Sequence, residues 1–267
     1  MVIDAPLSCF TSFLSSQPQN SESFSVTIHN KSGGLQNYTL FSQPPEVKPT
    51  AQSLTARALF VAKGVASPAG STTFDIPSDE LYAICGTMHA DVSVVDRRLV
   101  KLGSSTPPQP GTTCVVDVVD GTPSFGLWGG AVSDMGKEGA FCVKTTAGFT
   151  LDAARSEQYF VGLGLAQSPS TWTGLYASFI PGPLATYQIT PSKVFYIVPA
   201  AFRVNQPMPS EGDISLNNAF RIDFALTPPD VDLLHNGDNL LSLVAKDSDL
   251  LLRDPPSPAP SSPPTAP

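Results

Sequence analysis

Three histidines, His29, His89 and His235, carry the side chains of this sequence that ordinarily exchange a proton near neutral pH. His29 falls on the polar face of a predicted strand, and His89 lies two residues before an aspartate. These two histidines are therefore expected to face a cavity, in preference to His235. His235 is expected at the surface. Tyr38 and Arg155 add a hydroxyl and a guanidinium that could hold a developing enolate oxygen. The candidate catalytic residues are therefore His29, His89, Tyr38 and Arg155.

Aromatic side chains cluster around a glycine-rich segment, residues 121–139, and a segment without charge, residues 158–192. Such side chains most often pack in a core. They also line apolar cavities that hold a planar organic molecule. The candidate substrate-binding residues are Phe41, Trp128, Trp172, Tyr176 and Tyr187.

Cofactor and metal motifs are missing from the sequence. It has neither the Gly-x-x-x-x-Gly-Lys-Ser/Thr phosphate-binding loop of nucleotide-binding proteins nor a Gly-x-Ser-x-Gly hydrolase motif. The four cysteines are far apart, and none forms a Cys-x-x-Cys pair. The sequence therefore predicts no cofactor and no metal site. Asp117, on the apolar face of a predicted strand, is expected to need a guanidinium partner such as Arg97, Arg98 or Arg155.

The composition limits the class of protein and its partners. A net charge of −8 disfavours nucleic acid and anionic lipid, which clustered lysines and arginines bind. The charge-free segment is interrupted by prolines, so no membrane-spanning helix is predicted. The N-terminus lacks the positive charge of a signal peptide, which favours a cytoplasmic protein. Two glycosylation sequons, at Asn30 and Asn37, keep a secreted or cell-surface protein as the alternative.

The spacing of apolar residues and turns predicts a single-domain, all-β sandwich or barrel with Gly/Pro-rich loops. Residues 1–20 are predicted to be an N-terminal extension, 21–250 the β domain and 251–267 a disordered proline-rich tail. The strands at 24–29 and 37–41 are predicted to pair as a hairpin. Residues 121–139 are predicted to form a long loop, and 231–244 a terminal amphipathic helix.

Several pieces of the chain resemble a widespread group of fungal proteins of unassigned function. These pieces are FSVTIHNKSGGLQNYTLF (24–41), Tyr-Ala-Ile-Cys-Gly (82–86), Tyr-Gln-Ile-Thr-Pro (187–191) and Lys-Val-Phe-Tyr (193–196). The resemblance runs from about Phe24 to Leu226. It implies a fungal source and an all-β body, and it brings no assigned catalytic residues.

Two functional hypotheses follow. The first is a cofactor-independent isomerase or cyclase that acts on a small aromatic or polyketide-like metabolite, for example by adding a phenol to an enone within one molecule. The second is a non-enzymatic protein that binds a hydrophobic ligand or a glycan. The expected partner is a small hydrophobic or aromatic molecule, with a glycan as the alternative under the second hypothesis.

Overall fold

The computed structural model describes residues 23–77, 80–89, 91–126, 133–168, 171–209 and 216–244, without the side chains of 167, 168 and 171–173. The predicted N-terminal extension and the predicted proline-rich tail lie outside the described residues. The all-β class predicted from the sequence is confirmed, because strands dominate and the one helix of the described residues has six residues.

The strands follow one another closely along the chain. The first ten are β1 (Ser23–Asn30), β2 (Gln36–Ser42), β3 (Glu46–Lys48), β4 (Gln52–Ala56), β5 (Ala58–Val65), β6 (Ser71–Pro77), β7 (Leu81–Thr87), β8 (Ser93–Leu99), β9 (Ser104–Ser105) and β10 (Pro108–Gln109). The next five elements are β11 (Thr113–Val119), β12 (Thr122–Phe125), β13 (Phe141–Thr145), helix α1 (Leu151–Ser156) and β14 (Tyr159–Ser168). The last six are β15 (Thr171–Ile180), β16 (Thr186–Thr190), β17 (Val194–Val198), β18 (Phe220–Asp223), β19 (Asp230–His235) and β20 (Leu241–Leu243).

These strands form four larger sheets and one short ribbon in a sandwich-like arrangement. The two four-stranded sheets have the orders β20-β19-β1-β6 and β18-β17-β2-β5. The two five-stranded sheets have the orders β12-β11-β13-β16-β3 and β4-β15-β14-β7-β8, and β9 pairs with β10 in the ribbon. One continuous cluster of buried apolar side chains draws members from all four larger sheets. The sheets therefore share a core, whose burial is the main stabilising contribution to the fold.

The burial of each strand follows from its sequence. In β1, Phe24, Val26 and Ile28 are buried and alternate with less buried polar residues, the pattern of a strand with one face on the core. In β2, the run Tyr38–Ser42 is buried throughout, and this strand lies inside its sheet between β17 and β5. A central strand covered on both faces requires such a continuous run.

Three predictions of local structure are wrong. β1 and β2 do not form a hairpin: β1 pairs with β6 and, in parallel, with β19, whereas β2 pairs with β5 and β17. Residues 231–244 contain β19 and β20 rather than a helix, since their apolar side chains alternate with the period of a strand. The predicted long loop at 121–139 contains β12, and its residues 127–132 lie outside the described residues.

Asp117 on β11 also differs from expectation. Its carboxylate accepts hydrogen bonds from the Thr146 hydroxyl and from the backbone N–H of Val118, not from an arginine. Hydroxyl and amide donors supply the polar partners that a half-buried carboxylate needs, so no guanidinium is required.

A short break in one strand positions the candidate site. Arg57 separates β4 from β5, which belong to different sheets, and its backbone N–H donates to the Tyr176 carbonyl on β15. The segment after β17 runs alongside this break: Asn205 N–H donates to Ala58 O, Ala58 N–H to Gln206 O, and Met208 N–H to Ala56 O. These backbone hydrogen bonds fix both sides of the break.

Candidate functional site

A cleft of about 680 Å³ lies at this break in the strand and is here named the Arg57 cleft. Five segments line it: the break itself, the β7–β8 loop, the end of α1 with the turn that leads to β14, the end of β15, and the loop after β17. Its lining residues are Arg57, Met88, Asp91, Val92, Arg155, Gln158, Ile180, Arg203, Val204, Asn205, Gln206 and Pro207.

Arg57 is the most buried residue of the lining, with only 7% of its surface exposed. Its Nε–H donates to Ser178 Oγ at 2.8 Å, its Nη1 to the Asn205 carbonyl at 2.9 Å and its Nη2 to Met88 Sδ at 2.7 Å. All three acceptors are uncharged, and a thioether sulfur is a weak acceptor. Burial lowers the pKa of Arg57, because removal from water disfavours its charged form.

The cleft is more basic than the rest of the chain. Arg155, in the last turn of α1, and Arg203, in the loop after β17, join Arg57 in the lining, and both are exposed. Asp91 is the acidic member of the described lining. Three arginines and one aspartate give this wall a positive charge in a protein whose net charge is −8. A cleft lined by one sign of charge concentrates ligands of the opposite sign.

Asn205 shapes the loop that closes one side of the cleft. Its backbone has a φ of 67°, in the left-handed region that asparagine adopts more readily than most residues. Its side-chain Oδ1 accepts from the backbone N–H of Leu175 on β15 at 2.8 Å, while its carbonyl accepts from Arg57. The turn therefore aims a carbonyl at the guanidinium and anchors the loop to the sheet.

The structure brings only part of the predicted catalytic set to the cleft. Arg155 lines it, and its Nη2 donates to Gln52 Oε1 at 3.0 Å. His89 is exposed and directly follows Met88, so it stands beside the cleft without lining it. His29 lies elsewhere, on β1, where its Nε2 is 3.9 Å from the Asp232 carboxylate.

The predicted substrate-binding aromatics with described side chains are core residues and do not line the cleft. Phe41 packs edge-on against Phe202, and Tyr187 packs against Phe179. The Tyr176 hydroxyl donates to the Ser192 carbonyl, and burial raises the pKa of Tyr176. Trp128 lies outside the described residues, and Trp172 lies in β15 with its side chain outside them.

Tyr38 and His235 form a buried network away from the cleft. The Tyr38 hydroxyl is 2.9 Å from His235 Nδ1, and His235 Nε2 is 2.8 Å from Asn239 Oδ1. Because the amide oxygen accepts, Nε2 carries the ring N–H and Nδ1 accepts from the tyrosine. Both rings are fully buried, so the expectation that His235 is exposed is wrong. Its position on β19, between β1 and β20, explains the burial.

The cysteines of the described residues lie in the core, apart from the cleft. Cys85, Cys114 and Cys142 are buried free thiols, and no cluster of three or more metal-ligating side chains occurs within the described ranges. The part of the chain that the structure describes has no helix long and apolar enough to cross a lipid bilayer.

Sequence reasoning missed Arg57, the central residue of the cleft. One signal was available: Arg57 is a single charge in the apolar and small-residue run Ala56–Ala62, where a strand enters the core. A charged residue in such a run is rarely buried without a reason. The partners of Arg57 come from distant parts of the chain and carry no common motif.

The fold and the cleft define an all-β, sandwich-like protein with a basic cleft between strand ends and loops. Comparison of the chain with protein-family models, curated proteins and solved structures gives no match.

Proposed function

We propose that this chain is a binding protein that holds a small organic molecule in the Arg57 cleft. The observation that carries the proposal is the convergence of five chain segments on one cleft around a buried arginine. Its volume of about 680 Å³ falls within the range of known small-molecule sites, roughly 300–1,000 Å³.

The chemistry of the walls supports a ligand with both polar and apolar parts. Val92, Ile180 and Val204 offer aliphatic surface, whereas Gln158 and Gln206 offer amide groups. Polar and apolar groups thus share the wall, and polar groups at fixed positions can set the orientation of a ligand. The aromatic side chains expected to hold a planar molecule pack in the core, so the proposal does not depend on them.

Retention of compounds from an extract tests this proposal. Purified protein is incubated with an organic extract of its source, unbound compounds are removed by ultrafiltration, and retained masses are identified by liquid chromatography with mass detection. We expect a retained compound with the native chain and with Val119→Trp, but not with Val204→Trp. Both valines are about half exposed, at 52% and 46%, but only Val204 lines the cleft. Equal retention by both variants would place binding outside the cleft.

A cofactor-independent isomerase or cyclase is a second candidate at the same cleft. It is favoured by the position of Asp91 in the lining and of His89 beside it, since such groups could accept a phenol proton. Arg57 would then hold the developing enolate oxygen. A new product of mass equal to a consumed compound, formed at least ~10-fold more slowly by His89→Ala or Asp91→Asn, would support this candidate. An unchanged rate in both variants would reject these residues as its proton-transfer groups.

A further inference from the structure

Arg57 is a buried cation whose charge no described residue balances. It has 7% of its surface exposed, and it forms no ion pair with any residue in the described ranges. Asp91 lines the same cleft without pairing with it. Charged side chains are rarely buried in this way unless they are paired, because leaving water disfavours the charge.

The hydrogen bonds of Arg57 leave a defined part of the guanidinium open. A guanidinium has five N–H groups: one on Nε and two on each terminal nitrogen. Ser178 Oγ occupies the Nε group, and the Asn205 carbonyl and Met88 Sδ each occupy one terminal group. Within the described structure, one N–H on Nη1 and one on Nη2 therefore lack an acceptor.

Those two N–H groups select the shape of an acceptor. They belong to one rigid plane, and a carboxylate presents two oxygens at the spacing that matches such a pair. A phosphate has tetrahedral oxygens and up to two charges, and it is usually bound by several cations at once. Arg57 is the one buried guanidinium among the three arginines of the described lining, and one Nη2 N–H of Arg155 donates to Gln52 Oε1.

We infer that the ligand of the Arg57 cleft is a small organic carboxylate whose two oxygens accept hydrogen bonds from Nη1 and Nη2 of Arg57. This inference rests on the proposed function and names the chemical class of the ligand. The exposed guanidiniums of Arg155 and Arg203 attract the anion to the cleft. The aliphatic side chains of Val92, Ile180 and Val204 contact its carbon skeleton.

The test compares benzoate with benzamide, which has nearly the same shape and no charge. Each compound is titrated into ¹⁵N-labelled full-length protein, and the backbone resonances of residues 57, 91 and 204–206 are followed by NMR. We expect benzoate to bind at least about tenfold more tightly, because hydrogen bonds between charged groups are stronger than neutral ones. Arg57→Met should abolish this preference, whereas Arg221→Met, which removes an exposed arginine paired with Asp223, should preserve it.

The outcomes separate this inference from the proposed function. Equal binding of benzoate and benzamide would overturn the carboxylate inference and leave a ligand-binding cleft. Displacement of benzoate by inorganic phosphate at lower concentration would also overturn it. If neither probe shifts the cleft resonances, the inference fails, and the extract experiment decides the proposed function separately. Should Arg57→Met not fold, the comparison of the two probes on the native chain still supports or overturns the inference.

Discussion

Replacing Tyr38 with phenylalanine tests whether its hydroxyl supports the core. The change removes the donor that lies 2.9 Å from His235 Nδ1, and both residues are fully buried. A buried acceptor left without a partner costs about 1–3 kcal/mol in the free energy of unfolding. We therefore expect Tyr38→Phe to lower stability by that amount at pH 8 without changing ligand retention, because Tyr38 does not line the Arg57 cleft.

The same substitution has a predictable pH dependence. Burial raises the pKa of Tyr38 from 10.0 to about 12, so its neutral form is favoured in the folded protein. Between pH 10 and pH 12 the Tyr38 hydroxyl is largely deprotonated in the unfolded chain but still protonated in the folded protein. The contribution of neutral Tyr38 to stability is therefore fully present below pH 10 and is lost as the pH rises toward 12. By pH 11 the loss is on the order of 1 kcal/mol, which corresponds to about one pKa unit. The stability difference between native protein and Tyr38→Phe should shrink by that amount.

Urea unfolding followed by intrinsic fluorescence, at pH 8 and at pH 11, provides the assay. Tyr196→Phe is the matched control, since no described residue hydrogen-bonds to the Tyr196 hydroxyl, and we expect a change below about 0.5 kcal/mol. Unfolding of Tyr38→Phe at the same urea concentration as the native chain, or a difference between them that does not depend on pH, would contradict this role of the Tyr38 hydroxyl.

Three further predictions concern other parts of the chain. Arg155→Gln should weaken benzoate binding only about two- to fivefold, measured by NMR titration, because an exposed cation acts through screened attraction. His29→Ala should shift the free energy of unfolding by less than about 0.5 kcal/mol in urea, since its contact with Asp232 is exposed; a larger loss would contradict that. In a Cys9→Ser variant, the three remaining thiols of the folded protein should react with a disulfide reagent at pH 8 at least ~10-fold more slowly than those of the same variant unfolded in urea. Burial raises the pKa of Cys114 to about 12 and that of Cys85 further, and rapid native labelling would refute this.

Local patterns predicted the strands well. The alternation of Phe24, Val26 and Ile28 with polar residues places β1 and its buried face directly, because period-two burial is a property of neighbouring residues. The pairing of strands was not predictable in the same way. β1 pairs with β19, so Ser25 meets Asp230 across 205 residues of sequence, and no local pattern encodes that partner.

The candidate site depends even more on distant contacts. Arg57 receives its acceptors from residues 88, 178 and 205, which three separate parts of the chain supply. Tyr38 and His235 are 197 residues apart, so neither the burial of His235 nor its hydrogen bonds could be derived from its acidic surroundings in the sequence. Residue type identified Arg155 as a site candidate, but only the fold shows which cation is buried.

The most direct test of the ligand site proposed in the Arg57 cleft is a crystal structure of the protein soaked with 4-bromobenzoate, in which anomalous scattering locates the bromine. We predict a bromine peak inside the Arg57 cleft, with both carboxylate oxygens about 3 Å from Nη1 and Nη2 of Arg57. A bromine peak only outside the cleft, or a carboxylate turned away from Arg57 toward solvent, would contradict carboxylate binding by Arg57.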